Sequence, residues 1–210
     1  MRGSHFLAIN IRMNGNLSQR ILQQYVELQL KNNCDRIADH PLGLSLFNEE
    51  KNLHFVMVPK NASTSISIAA LTSNTDSWVP SNYLDQPSSK YIIVLRDPVE
   101  RFISALNMFL TTGKNLFDNL PLISNNRLVT NDCHFQPQCK FISNLSLENI
   151  DFFWYGNNVV QDIEKFYGLD FNQLNLNVGN KLIKQIDNEL IKKLYKDDYE
   201  LINSIKFVNI

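Results

Sequence analysis

The stretch FVMVPKNASTSI, residues 55–66, decides how this chain is expected to fold. It begins as a short apolar, β-rich run, which is typical of a buried strand. A Pro-Lys turn follows, and three successive hydroxyl residues precede an apolar helical pattern. A strand that passes through a turn into a helix start places backbone N–H groups where an anion can bind. The stretch therefore predicts an α/β element with a phosphate-like site at its turn.

Two interpretations of this turn compete. In a binding site, Lys60 would add a point charge and Ser63, Thr64 and Ser65 would add hydroxyl donors. In a purely structural turn, the Ser and Thr residues would be ordinary N-caps and the lysine would be solvated. The loop is not a Walker A sequence, G-x-x-x-x-G-K-[ST], because it contains no glycine. Side-chain hydroxyls and Lys60 would therefore do more of the binding than in a glycine-rich loop.

A second stretch, YIIVLRDPVER at residues 91–101, predicts another strand and helix. Its first five residues are β-branched or apolar throughout, as expected of a strand covered on both faces. Asp97 is a good N-cap, Pro98 suits the first helical position, and Glu100 can complete a capping box. Arg96 is then expected at the carboxyl end of the strand, where open α/β sheets place their ligands. The structural alternative for Arg96 is an ion pair.

Together the two stretches resemble the cofactor-binding elements of sulfotransferases that use 3′-phosphoadenosine 5′-phosphosulfate (PAPS). VPKNASTSI, residues 58–66, resembles the 5′-phosphosulfate loop, and VLRDPVERFISAL, residues 94–106, resembles the 3′-phosphate element. The sequences of these two stretches are most similar to the carbohydrate branch, which is the sulfotransferase family 2-like group. Looser matches to that group are HFQPQ at residues 134–138, FFWYG at 152–156 and YKDDYE at 195–200. No family signal precedes residue 55.

The resemblance implies a fold and a cofactor site. It implies one α/β domain over residues 1–210, with a central, mostly parallel sheet flanked by helices and a P-loop-like core of the sulfotransferase type. The PAPS-binding core would cover about residues 53–170. The expected cofactor-binding residues are Lys60, Asn61, Ala62, Ser63, Thr64 and Ser65 on the 5′ side, and Arg96 and Ser104 on the 3′ side. Ser104 also has a structural alternative, as a small packing residue.

The resemblance also implies a reaction. A sulfuryl group would pass in line from PAPS to an acceptor hydroxyl on a carbohydrate, in a reaction governed by positioning and charge stabilisation. Lys60 would stabilise charge on the leaving phosphate, and Arg96 would clamp the 3′-phosphate with its planar fork of donors. No metal is expected, because Lys60 supplies the cation.

The base that activates the acceptor is the open part of this assignment. One carbohydrate branch places catalytic histidines between the two cofactor motifs, but no histidine occurs here between Lys60 and Arg96. His134, in a long loop, is the leading candidate because its ordinary pKa lies near neutrality. Asp76 and Asp85 are weaker alternatives. His54 lies at a strand start and is interpreted as structural.

Composition limits the other classes of function. The chain of 210 residues is 44% hydrophobic and 20% charged, as in soluble globular proteins. Its formal net charge of −1 gives no basic field to attract nucleic acid, and no run is apolar enough to span a membrane. Residues 1–5 resemble an expression leader. We expect a cytoplasmic protein, with a trimmed lumenal domain of a Golgi enzyme as the alternative.

The chain has only three cysteines, which also favours the cytoplasm. A disulfide between Cys133 and Cys139 would leave Cys34 over, and the cluster around His134 lacks the paired Cys-x-x-Cys spacing of a zinc site. An amphipathic helix is predicted over residues 17–30, and a closing helix from about residue 187 to 204. Loops around residues 72–90 and 111–138 would select the acceptor, whose identity the sequence does not show.

Two other functions stay open. One is a metal-dependent nucleotide phosphotransferase, against which the sequence offers neither a Walker A loop nor a clear magnesium-binding acidic motif. The other is a protein that binds PAPS but has lost catalysis, an alternative that the missing histidine keeps in play.

Overall fold

The computed structural model describes residues 44–73, 76–83, 89–112, 122–124, 127–129, 133–171 and 188–209. The helix predicted over residues 17–30, Cys34 and Asp85 lie outside these residues. The strands are β1 (Leu44–Asn48), β2 (Leu53–Val56), β3 (Val79–Asn82), β4 (Lys90–Leu95), β5 (Leu122–Ser124), β6 (Arg127–Val129) and β7 (Ile150–Trp154). The α-helices are α1 (Ser63–Leu71), α2 (Pro98–Thr112), α3 (Val159–Tyr167), α4 (Asn188–Leu194) and α5 (Lys196–Ser204).

The main sheet has the strand order β3-β1-β2-β4-β7. Strands β2, β4 and β7 run parallel, whereas β1 is antiparallel to both β2 and β3. The α/β class is therefore confirmed, and the sheet is mixed because β1 runs against its other four strands, which all run in one direction. The reason is the short connection between β1 and β2, since a tight hairpin can join only antiparallel strands.

The hairpin that starts the sheet was not predicted from the sequence. Its turn is held by two local features. The Asn48 side-chain oxygen accepts a hydrogen bond from the Lys51 backbone N–H at 2.9 Å, and Asn52 adopts a left-handed φ of 48°. Asn is one of the few residues besides Gly that tolerates this conformation. The hairpin places β1 on the outer side of β2 and leaves β4 as its inner neighbour.

Strand β4 is buried on both faces, as its continuous apolar sequence predicts. Ile92 and Val94 face the core that also contains Ile66 of α1 and Ile163 of α3. The alternate residues of β4 face a second core, which contains Phe141 and is covered in part by α5. The sheet therefore lies between two layers, and the carboxyl ends of β2, β4 and β7 meet at one edge.

Of the helix boundaries predicted from the sequence, one is confirmed and one is wrong. Asp97 caps α2 as predicted, because its Oδ1 accepts a hydrogen bond from the Glu100 backbone N–H at 3.0 Å. The single closing helix expected from about residue 187 is wrong, since α4 and α5 are separated at Tyr195. The buried Tyr195 side chain donates its hydroxyl to the Phe135 carbonyl at 2.7 Å, which anchors the chain at the break.

His54 has a structural role, as interpreted from its place at a strand start. Its ring is fully buried and stacks between those of Phe47 and Tyr91. Its Nδ1 lies 2.9 Å from the Ser45 hydroxyl on the neighbouring strand. Within the described ranges, no helix combines the length and the apolar character needed to cross a bilayer.

Candidate functional site

The loop between β2 and α1 has an unusual backbone for a segment without glycine. Lys60 and Ala62 adopt left-handed φ values of 70° and 61°, whereas Asn61 between them keeps a negative φ, as does helical Ser63. Alternation of φ sign along successive residues turns backbone N–H groups toward a common concavity, an arrangement called a nest that binds anions. The loop therefore adopts, with non-glycine residues in a strained backbone conformation, a shape that other phosphate-binding loops form with glycine.

Helix α1 continues this concavity. Its N-cap, Ala62, provides no side-chain cap, and its first turn contains no acidic residue. The first N–H groups of a helix lack partners within the helix and form the positive end of its dipole. Ser63 and Ser65 are half-buried here, and Thr64 is exposed. Ser63, Thr64 and Ser65 thus surround a helix N-terminus whose positive dipole end has neither a side-chain cap nor an acidic residue beside it.

Two arginines of the second motif hold the loop through consecutive carbonyl groups. The Arg96 Nη1 donates to the Lys60 carbonyl at 3.3 Å, and the Arg101 Nε donates to the Pro59 carbonyl at 2.9 Å. Both sequence motifs consequently meet at the carboxyl ends of two adjacent parallel strands, β2 and β4. The structure thus brings the Pro59–Lys60 loop and the Arg96 motif into direct contact.

The guanidinium of Arg96 has two further neighbours. Its Nε lies 3.4 Å from the Glu100 carboxylate, and its central carbon lies 4.2 Å from the centre of the Tyr155 ring. A cation over an aromatic face is a stabilising contact, and it fixes the plane of the fork. The Arg96 side chain is only 14% exposed. The ion pair proposed as its structural alternative therefore exists, but it is one contact among three.

Arg101 is almost completely buried within the site. It is 1% exposed, and it also donates to the carbonyls of Gln136 at 2.7 Å and Cys133 at 3.3 Å. Its guanidinium thus ties the Pro59 loop to the loop that carries His134. Burial lowers the pKa of Arg101, while nearby Tyr195 and Asp198 act in the opposite direction.

The side chain of Asn61 points into the protein. It is fully buried, and its Nδ2 donates to the Val94 carbonyl at 2.8 Å and to the Gln138 side-chain oxygen at 2.5 Å. Its backbone N–H donates to the Val58 carbonyl at 3.3 Å. Asn61 was expected to bind the cofactor, but these contacts give it the role of shaping the loop from beneath.

The remaining predicted residues are distributed as follows. Ser104 is half-buried on α2, one helical turn beyond Glu100, which places it on the Arg96 side of the crevice. His134 is half-buried in the loop that Arg101 draws toward Pro59, with its Nδ1 3.7 Å from the Cys133 sulfur. The roles of Ser104 and His134 stay predictions.

Asp76 is not part of this site. Its carboxylate accepts a hydrogen bond from the Asp170 N–H at 3.1 Å and lies 3.8 Å from the Lys51 Nζ. Lys51 precedes β2, whereas Lys60 follows it, so Asp76 lies at the opposite end of the sheet. A strand of four residues alone separates these ends by about 13 Å. Asp76 therefore lies too far from a group bound beside Lys60 to act as its base.

The half-buried Cys139 and the buried Asp198 contact each other beside Gln138. Asp198 is fully buried, and its Oδ1 accepts a hydrogen bond from the Cys139 backbone N–H at 2.9 Å. Burial raises the pKa of the Asp198 carboxyl, although Arg101 opposes that effect. Burial, together with the Asp198 charge, raises the pKa of the Cys139 thiol to about 12. Cys133 and Cys139 are both free thiols.

Three residues of the site have roles that the sequence did not reveal: Arg101, Gln138 and Tyr155. The HFQPQ match indicated Gln138 only as part of a family pattern, and FFWYG did the same for Tyr155. Their roles depend on contacts with residues far away in the chain, which have no local signature. Among the described residues, no group of three or more His, Cys, Asp or Glu side chains is arranged to hold a metal ion.

Comparisons of the chain with protein-family models, with curated proteins and with solved structures find no match. A functional assignment must therefore come from the geometry and chemistry of the site.

Proposed function

We propose that this protein is a PAPS-dependent sulfotransferase that transfers a sulfuryl group to an acceptor hydroxyl, most suitably one on a carbohydrate. The observation that carries the proposal is the contact of Arg96 Nη1 with the Lys60 carbonyl, at 3.3 Å. It joins two segments suited to anions in one crevice, at the end of the sheet where α/β proteins bind ligands. A donor with separated 5′ and 3′ anionic groups suits such a pair of half-sites.

The 5′ half of the donor would occupy the nest and the start of α1. Backbone N–H groups, with the hydroxyls of Ser63, Thr64 and Ser65, would hold the 5′-phosphate. Lys60 would stabilise the negative charge that grows on the leaving phosphate as the bond to sulfur breaks. The acceptor oxygen would attack the sulfur from the opposite side, in line with the leaving oxygen.

The 3′ half would be bound by the second motif. Arg96 would present its planar donors to the 3′-phosphate, and Ser104 would add a hydroxyl from α2. Exchange of the Glu100 contact for the phosphate would keep the guanidinium paired. His134 is the residue we propose as the base, because Arg101 links its loop to the Pro59 loop.

The proposal is tested by transfer from sulfur-labelled PAPS to a panel of glycans, lipids and phenols. We expect transfer by the unaltered protein, a loss of at least about 100-fold in kcat for Lys60→Ala, and mainly a higher KM for PAPS in Arg96→Ala. Alanine at position 60 keeps the same backbone preference as lysine, so the loop shape is retained. Lys51→Ala, at the far end of the sheet, is the matched control. Unchanged rates in both site variants would contradict the assignment.

The same preparation separates the two other functions. A metal-dependent phosphotransferase would transfer phosphate from a nucleoside triphosphate, and a chelator would abolish its activity. We expect sulfuryl transfer to continue in the presence of the chelator. A protein that has lost catalysis would bind 3′-phosphoadenosine 5′-phosphate by calorimetry and transfer nothing to any acceptor. We propose the cytoplasm as its location, as expected from the sequence.

A further inference from the structure

We propose that Gln138 is a positioning residue that fixes the distance between the two anion-binding halves of the site, a role that rests on the proposed function. Gln138 lies 42 residues beyond Arg96 in the chain and is fully buried. Because its side chain is buried, we do not expect it to contact the donor molecule. Its effect would come through Asn61 and Arg96, one in each half.

The need for such a residue arises where β2 and β4 separate. Their pairing ends at Phe55 and Ile92, after which the chain from β2 turns away toward Lys60. The next residues of β4 consequently lose their strand partner on that side. Buried backbone groups without partners are costly, so the gap must be filled by other polar groups.

Two side-chain amides fill this gap. The Asn61 Nδ2 donates to the Val94 carbonyl at 2.8 Å. Two residues further, just beyond the end of β4, the Gln138 Oε1 accepts a hydrogen bond from the Arg96 N–H at 3.0 Å, and its Nε2 donates to the Arg96 carbonyl at 2.9 Å. The carboxamide of Gln138 thus pairs with Arg96 as the backbone of an adjacent strand would.

The same Gln138 oxygen also accepts a hydrogen bond from the Asn61 Nδ2 at 2.5 Å. One buried amide therefore contacts the residue inside the nest and the residue that begins the 3′ half-site. Asn61 and Gln138 are both fully buried, so these hydrogen bonds, rather than solvent, hold their side chains in place. The separation of the half-sites depends on this link.

A fixed separation matters only for a ligand that engages both halves. When one phosphate of such a ligand is bound, the other is presented to its half-site at a high effective concentration, provided that the spacing is correct. A monophosphate gains nothing from the spacing. Loss of Gln138 is therefore expected to weaken a bisphosphate selectively, which a general loss of stability would not do.

The test compares three ligands by calorimetry: 3′-phosphoadenosine 5′-phosphate, adenosine 5′-phosphate and adenosine 3′-phosphate. Gln138→Leu removes both polar ends at similar size. We expect it to weaken the bisphosphate by at least about 10-fold and each monophosphate by less than about 3-fold. Gln138→Asn keeps the amide but shortens its reach, and it should show the same selectivity. If Gln138→Leu does not fold, Gln138→Asn alone decides.

The control is Ile142→Val, at a residue that is buried in the second core directly after the turn formed by Gln138–Phe141. It should lower the unfolding midpoint and leave all three affinities unchanged. Equal weakening of all three ligands by the Gln138 variants, or no weakening in folded protein, would overturn the positioning role. Failure of the unaltered protein to bind the bisphosphate or to transfer sulfuryl would instead overturn the proposed function, so the two failures are distinct.

Discussion

At the scale of single residues, the Pro59–Ala62 turn stores backbone strain at the candidate site. Lys60 and Ala62 both lie in the left-handed region, which costs a residue with a Cβ roughly 1–2 kcal/mol. Such conformations persist when surrounding contacts over-determine them. Here the contacts are the two arginine hydrogen bonds to the carbonyls of Pro59 and Lys60. The strain is consistent with a loop shaped for a ligand rather than for stability.

This strain predicts the effect of glycine at position 62. Ala62→Gly should stabilise the protein toward urea by about 0.5–1 kcal/mol, because relief of the left-handed strain exceeds the extra entropy of glycine in the unfolded chain. Gly168 allows the reverse substitution as a control, because it has a φ of 62° and open space where a Cβ would be. Gly168→Ala should destabilise by a similar amount. A destabilised Ala62→Gly protein would contradict the strain argument.

The Cys139 thiol offers a second prediction at this scale. With its pKa raised to about 12 by burial and by Asp198, only ~1 thiol in 10⁴ is ionised at pH 8, against about one in four for an ordinary cysteine. Iodoacetamide should therefore label Cys139 very slowly in the folded protein. Asp198→Asn should speed labelling, as measured by mass spectrometry of the Cys139 peptide. Equal labelling rates in folded and urea-unfolded protein would contradict the prediction.

At the scale of elements, the site is a consequence of where strands diverge. Strand β2 leaves β4 after Ile92, and the opening is lined by the β2–α1 loop on one side and the start of α2 on the other. The amides of Asn61 and Gln138 close its floor. These amides satisfy the backbone groups of Val94 and Arg96 that the diverging strand leaves open, whereas the Asn61 Oδ1 is buried without a hydrogen-bond partner.

The start of α2 is testable as an element. Asp97 accepts from the Glu100 N–H through one oxygen and from the Tyr199 hydroxyl of α5, at 3.2 Å, through the other. Asp97→Ala should cost about 2 kcal/mol in free energy of unfolding, from the lost cap and the lost link to α5. Asp97→Asn keeps a capping oxygen and should cost less than about 1 kcal/mol. Equal losses in urea denaturation would show that charge, not capping, is the source.

At the scale of the whole molecule, local signals predicted some elements well and others not at all. Asp97 and Pro98 marked the start of α2, and the apolar run of β4 marked a strand buried on both faces. The β1–β2 hairpin was missed, since its turn has neither glycine nor proline to mark it. The left-handed backbone of Lys60 also has no sequence signal, because it is imposed from outside the loop.

The candidate site shows the same limit. Lys60 and Arg96 were found because each lies beside a strand end that the sequence marks. Gln138 and Arg101 act through partners 32 to 77 residues away, and a single sequence does not reveal such pairings. Asp76 was misplaced for a related reason: nearness in sequence to Lys60 did not show that α1 returns the chain to the opposite end of the sheet.

Arg101 connects these distant parts, and its replacement tests the assembly as a whole. It donates to the carbonyls of Pro59, Cys133 and Gln136 from a site that is 1% exposed. A lysine cannot reproduce this planar fork, so Arg101→Lys leaves buried carbonyls without donors. We expect a loss of about 2–4 kcal/mol in free energy of unfolding.

Arg96→Lys is the matched control for this comparison, because the Arg96 side chain is partly exposed and its contacts of 3.3–3.4 Å are weaker. It should cost less than about 1 kcal/mol of stability while weakening 3′-phosphoadenosine 5′-phosphate binding. Urea denaturation and calorimetry of both variants separate the effects. Equal stability losses would mean that Arg101 is no more structural than Arg96. A stable Arg101→Lys protein with unchanged affinity would show that the loops meet without it.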